Sequence, residues 1–97
     1  MSFISEVTDE VIAQERRKAR ELRSSQWWKN QKGKGFCYYC KGKVHPSELT
    51  MDHVVPVIRG GKSKKGNVVP CCKDCNNKKK HLLPVEWDDH LKSLEKD

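Results

Sequence analysis

Long apolar runs are missing from this chain. No segment approaches the roughly 20 apolar residues that a membrane-spanning helix needs. The start, MSFISEVTDEV, lacks the basic opening and apolar stretch of a secretory leader. Internal repeats and low-complexity linkers are absent too, so the organisation expected is one domain. Apolar residues are scarce overall, 35% of 97. A core built from so few is thin, near the lower limit for a self-sufficient domain, and calls for a staple of disulfides or metal. Without a leader the expected location is the cytoplasm, where disulfides are rare and clustered cysteines more often bind metal.

Acidic residues are nearly missing from one stretch. Between Arg59 and Lys80 eight basic residues face a single acid, so this segment carries the entire formal net charge of +7. Charge concentrated in that way favours a polyanionic partner over a merely solvated face.

Cysteine, by contrast, is present and patterned. CYYC supplies Cys37 and Cys40, and CKDC supplies Cys72 and Cys75. Each pair fits a tight turn that aims both sulfurs at one ion, and two such pairs signal a tetrahedral structural zinc. Lys41-Gly42 suits the first turn. The stretch between the pairs exceeds the usual zinc-ribbon gap, so something is inserted there. Cys71 is left over; it can replace Cys72 as a ligand, but the C-x-x-C spacing favours Cys72. Four thiolates leave no open coordination position, so this metal holds the fold and does no chemistry.

The expected fold class is α+β: a small zinc-stapled domain with an N-terminal and a C-terminal helix. Thr8 caps a first helix with Asp9 and Glu10 in its opening turn, and Gly33 and Gly35 end that element. Its expected buried stripe is Val11, Ile12, Ala19, Leu22 and Trp27, ringed by arginines. Leu49 to Val55 reads as a strand closed by Pro56, Asn67 to Pro70 as a second short strand, and Lys73 to His81 as a short helix. Pro84 opens a last helix with Trp87, Leu91 and Leu94 on its core face. The boundaries expected are a basic helical extension over 1–35, a zinc-knuckle core over 36–81 and a C-terminal helix over 82–97.

One pair does not suit a core strand. Asp52 and His53 stand side by side in TMDHVVPV, an otherwise apolar, β-branched run. Asn67, Asn76 and Asn77 follow. The segments DHVVPVIRGG and NVVPCCKDCNNKKK resemble the HNH endonuclease family, with its ββα-metal or His-Me finger fold, in the subgroup with two cysteine pairs. The resemblance covers about Phe36 to Lys80, nearly half the chain. It implies a general base at His53, a ligand for a catalytic divalent metal at Asp52, a loop-orienting asparagine at Asn67 and a second metal ligand at Asn76. Asp and Asn are oxygen donors and favour magnesium or manganese.

The residues support that chemistry on their own. Phosphodiester hydrolysis needs a base titrating near neutrality and a cation for charge on the leaving oxygen. His53 is the obvious base, and Asp52 can hold the cation beside it, provided the strand bends or ends there. Lys62, Lys64, Lys65, Lys78, Lys79 and Lys80 are candidates for contacts to the DNA backbone. Trp27 and Trp28 suit packing or base stacking. His45, His81 and His90 lack such context, and Asn77 reads as helix surface. The leading function is therefore a metal-dependent nuclease acting on duplex DNA, with RNA left open as substrate and no membrane partner. The rivals are a catalytically silent zinc-ribbon module that only binds nucleic acid and an accessory subunit of a phage packaging or restriction complex. The former leaves Asp52, His53, Asn67 and Asn76 unexplained.

Overall fold

A computed structural model describes residues 7–95, apart from the side chains of 90 and 93–95. The elements run α1 (Asp9–Arg23), α2 (Gln26–Gly33), β1 (Leu49–His53), β2 (Val68–Cys72), α3 (Lys73–Lys79) and α4 (Pro84–Glu95), with three short 3-10 turns between them. This is a small mixed α/β fold, as its sequence suggests. No helix among the described residues is long and apolar enough to cross a membrane.

The expected single N-terminal helix is two. Thr8 caps α1, its hydroxyl accepting from Val11 N at 3.1 Å. The helix stops at Ser24-Ser25, where both hydroxyls turn back onto carbonyls, Ser24 onto Glu21 and Ser25 onto Leu22. Ser25 then caps α2 by accepting from Trp28 N. Serine competes with the helical backbone in this way whenever two fall together. The break re-aims the second segment, so Trp28 is buried and Trp27 only half-buried. Of the expected stripe Ala19 is buried, while Val11, Ile12 and Leu22 are half-buried. Glu15 is buried among them.

β1 and β2 pair antiparallel, with Asp52 opposite Val69 and His53 opposite Val68. β1 ends at His53, two residues before the expected boundary. β2 begins one residue late and runs on through Cys72, because Cys71 and Cys72 pair with Thr50 and Leu49. α3 stops two residues early, at Lys79, since Lys80 takes a positive φ of 49°.

The two knuckles face each other. Lys41 N returns to Cys37 O, Gly42 N reaches Cys40 Sγ at 3.4 Å, and Cys75 N reaches Cys72 Sγ at 3.4 Å. Lys41, rather than the glycine after it, takes the left-handed conformation, at φ 63°. Tyr38 N donates to Pro70 O at 2.9 Å and ties the first knuckle to β2. The sulfurs of Cys37, Cys40, Cys72 and Cys75 all lie within 4.8 Å of one another. Zinc–sulfur bonds of about 2.3 Å in a tetrahedron put sulfurs ~3.8 Å apart, so a small contraction completes the site. The cluster is positioned to bind a metal such as zinc. Burial pushes the Cys37 thiol up, but backbone hydrogen bonds from Cys72, Cys40 and Tyr39 bring it down to about 7. Burial and the nearby sulfurs of Cys72 and Cys37 raise Cys75. A divalent cation held there would resolve that conflict by keeping all four as thiolates. Cys71 is not in the cluster: it is fully buried, its thiol turned to the Cys72 carbonyl.

Cys37, Cys71 and Cys75 share the core with Leu49 and Trp87 of α4. Tyr39 meets the Trp87 ring edge-on at 5.7 Å. Of the expected α4 stripe Trp87 is buried. Leu91 is exposed, and the side chains of His90 and Leu94 fall outside the described residues.

With so small an apolar core, the metal should decide whether the chain folds. Cys40→Ser, or chelation of wild type, should leave a largely unfolded protein, because zinc binding supplies on the order of 10 kcal/mol of folding free energy. Amide NMR dispersion checks this, with elemental analysis expected to find one zinc per wild-type chain.

Candidate active site

The site begins where β1 runs out. Past His53 Asn67 continues the ladder, first with its backbone and then with its side chain: Val54 N donates to Asn67 O at 2.8 Å, and Val55 N donates to Asn67 Oδ1 at 2.9 Å. Asn67 Nδ2 donates back to Val55 O at 3.0 Å and on to Lys62 O at 2.9 Å. One buried amide so closes the loop between the strands with three bonds. The Gly-Gly pair makes this possible. Gly60 takes φ 95°, and a Cβ on Gly61 would collide with the Val55 carbonyl that Asn67 holds.

The closed loop carries Ser63 to His53. His53 Nε2 and Ser63 Oγ are 2.8 Å apart. The same hydroxyl donates to the Glu15 carbonyl at 2.6 Å, and Ser63 N donates to Glu15 Oε1 at 2.7 Å. That backbone bond, outweighing burial, holds the Glu15 carboxyl below its ordinary range, and Lys18 adds to the effect. Burial holds the His53 imidazole below its ordinary value near 6.5, with Asp52 pulling upward and Arg23 downward. Burial thus favours the neutral ring.

Asp52, the neighbour across the pleat, is buried and partnered on one oxygen. Tyr39 OH donates to Oδ2 at 2.6 Å, and Lys79 Nζ lies 3.2 Å from the same atom. Lys79 is fully buried, donates to His53 O at 3.2 Å, and sits 5.5 Å from the centre of the Tyr39 ring. Burial first, and the bond to Asp52 second, raise the Tyr39 phenol, which stays a proton donor. Oδ1 of Asp52 makes no hydrogen bond among the described residues, yet no buried side-chain oxygen there is left unsatisfied. Oδ1 is thus left without a protein partner among the described residues, on a side chain that lines the cleft.

That cleft has a volume of about 350 Å³, and Asp52, His53 and Asn76 line it together with Arg16, Lys80 and His81. Of the residues singled out in the sequence, the structure brings Asp52, His53, Asn76 and Lys80 to one cavity, with Asn67 behind it as the loop clamp. Oxygen donors on Asp52 and Asn76 fit a hard divalent cation. Lys62, Lys64, Lys65 and Lys78 are exposed outside the cleft; Lys65 lies over the Trp27 ring and Lys78 pairs with Asp74. Lys79 must be corrected: with no exposed surface it cannot reach a phosphate backbone, and its charge is spent on Asp52. Asn77 is exposed, as expected, and His45 accepts from Ser47 N to cap a turn. Tyr39, Ser63 and Glu15 escaped the sequence reading. Only Glu15, a lone acid ahead of the arginine run in AQERRKAR, left a trace there.

A family model described as HNH endonuclease matches residues 37–92. The match takes in both knuckles, both strands, α3 and most of α4, and leaves out α1 and α2. No curated protein matches the chain.

The Asp52–Lys79 pair has a clear mutational signature. Removing one partner of a buried ion pair strands the other charge and costs about 3–5 kcal/mol. Lys79→Met should lower stability by that much in urea denaturation. Adding Asp52→Asn in the same chain should recover a large part of the loss, which a double-mutant cycle measures.

Proposed function

This chain belongs to the HNH endonuclease family, and from that we propose that it is a divalent-metal-dependent endonuclease hydrolysing phosphodiester bonds in DNA. One observation carries the reading: the His53 imidazole, the Asp52 carboxylate and the Asn76 amide line the same cleft, between basic side chains.

In this reading His53 is the general base. Burial holds its imidazole below the ordinary pKa, which favours the neutral form that accepts a proton from water aligned with the phosphorus. Asp52 and Asn76 would hold magnesium or manganese, which when bound supplies positive charge against the charge building on the phosphate and leaving oxygen. Arg16 and Lys80, at the cleft, attract the phosphate. Lys62, Lys64, Lys65 and Lys78 extend that attraction along the backbone and confer affinity without reading sequence. Asn67 keeps the loop, and with it the partner of the His53 ring, in place. Lys79 already offsets the Asp52 charge, so the protein alone holds a cation weakly. A substrate phosphate would supply further oxygen ligands, as is usual for magnesium.

Supercoiled plasmid should be nicked or cut with magnesium or manganese and left intact with EDTA. His53→Ala should retain DNA binding in gel shifts and lose two to four orders of magnitude in rate, the usual worth of a positioned base. Because burial lowers the His53 pKa, the rate should climb with pH below about 6.5 and be level by neutrality; a climb still under way above pH 7 would mean that another group titrates. A His53→Ala protein that cuts like wild type would leave the silent nucleic-acid-binding module as the better account.

The cation ligands have their own test. Asp52→Ala and Asn76→Ala should each raise the magnesium or manganese concentration for half-maximal cleavage while the zinc content stays at one per chain. Unchanged metal requirements in both would move the cation elsewhere.

A further inference from the structure

Helix α1 lies outside the stretch matched by the family, yet it reaches the candidate base through one serine. A carbonyl oxygen can only accept, so the 2.6 Å contact between Ser63 Oγ and Glu15 O uses the one hydroxyl proton. The 2.8 Å contact from Ser63 Oγ to His53 Nε2 must then run the other way, with an N–H on Nε2. Nδ1 is left with the lone pair. The serine itself is fixed a second time, since its backbone N–H donates to the buried Glu15 carboxylate at 2.7 Å. Residue 15 therefore grips Ser63 by backbone and side chain at once, across 48 positions of sequence.

We propose that Ser63 and Glu15 are positioning residues for His53: Ser63 selects the Nε2–H tautomer, and Glu15 holds Ser63 where it can do so. The proposal rests on His53 being the general base, and it makes α1 a working part of the nuclease. Neither residue touches substrate. Glu15 acts through Ser63, and Ser63 through the imidazole, as partners of the second ring nitrogen do for other functional histidines.

The test separates this role from mere structure. In Ser63→Ala kcat should fall on the order of 10–100-fold, the usual effect of losing such a partner, while KM, zinc content and melting temperature hold. Ser63→Thr keeps the hydroxyl and should restore most of the rate. Glu15→Gln retains an acceptor for Ser63 N and should keep more activity than Glu15→Ala. Nitrogen-15 NMR of the histidines at mildly alkaline pH reads the tautomer without any substrate. Wild-type His53 should be protonated at Nε2, and Ser63→Ala should show a mixture. A wild-type ring protonated at Nδ1 overturns the proposal, as does an equal loss of rate in the alanine and threonine variants. If wild type cuts nothing, the nuclease reading fails by itself, and the tautomer spectrum still decides whether Ser63 sets the ring.

Discussion

Four sulfurs drawn from opposite ends of a long insertion converge in one cluster positioned to bind a metal such as zinc. The first pair sits on a turn after α2 and the second spans the junction of β2 and α3. Of the residues that line the cleft, those from Met51 to Ile58 lie between the pairs, Asn76, Lys80 and His81 follow on from the second pair, and Arg16 comes in from α1. β2 is tied to the first knuckle by Tyr38, α3 is capped by Cys72, and Trp87 anchors α4 on the same cluster. A core of so few buried apolar side chains could not fix these elements unaided, because burial yields only about 25 cal/mol per Å² against the entropy of ordering the chain.

Within that frame the cleft is organised by a second constraint, the cost of burying a carboxylate. Asp52 is taken out of water beside the strand end, and the fold answers with a lysine whose whole side chain is also buried. Lys79 bonds the His53 carbonyl as well, so the countercharge to one residue of the pair fixes the backbone of the other. Tyr39 completes the arrangement from the first knuckle. The cysteine cluster and the cleft are therefore neighbours, joined through the Tyr39 bond to Asp52 and through α3, which carries both Cys75 and Asn76.

How much of this was legible in the sequence depends on whether local chemistry carried it. The cysteine pairs and the Asp-His step were visible because their spacing is short and their chemistry narrow. Asn67 and Asn76 were found through resemblance, and both reach the site or its loop. Lys79 was misread because a lysine triplet looks alike at every position; only the turn of α3 decides that its middle member points inward. Glu15 and Ser63 were missed because their pairing is long-range and each is ordinary by itself. The strand ends were misplaced by a tertiary substitution: the Asn67 side chain takes the ladder position that backbone would otherwise fill. Two serines, with no glycine or proline between them, broke the first helix where a continuous one was expected.

The long reach of these contacts bears on how the chain is made. Glu15 waits for Ser63, Asp52 waits for Lys79, and the first knuckle waits for Cys72 and Cys75. Contacts of such separation are slow to form, since each must close a large loop before it gains anything. A chain still on the ribosome with α3 inside the exit tunnel lacks half the metal ligands, the cation beside Asp52 and the Asn76 wall of the cleft. The cleft therefore closes only once α3 has emerged, and a chain terminated before α3 carries the His53 imidazole without its cleft.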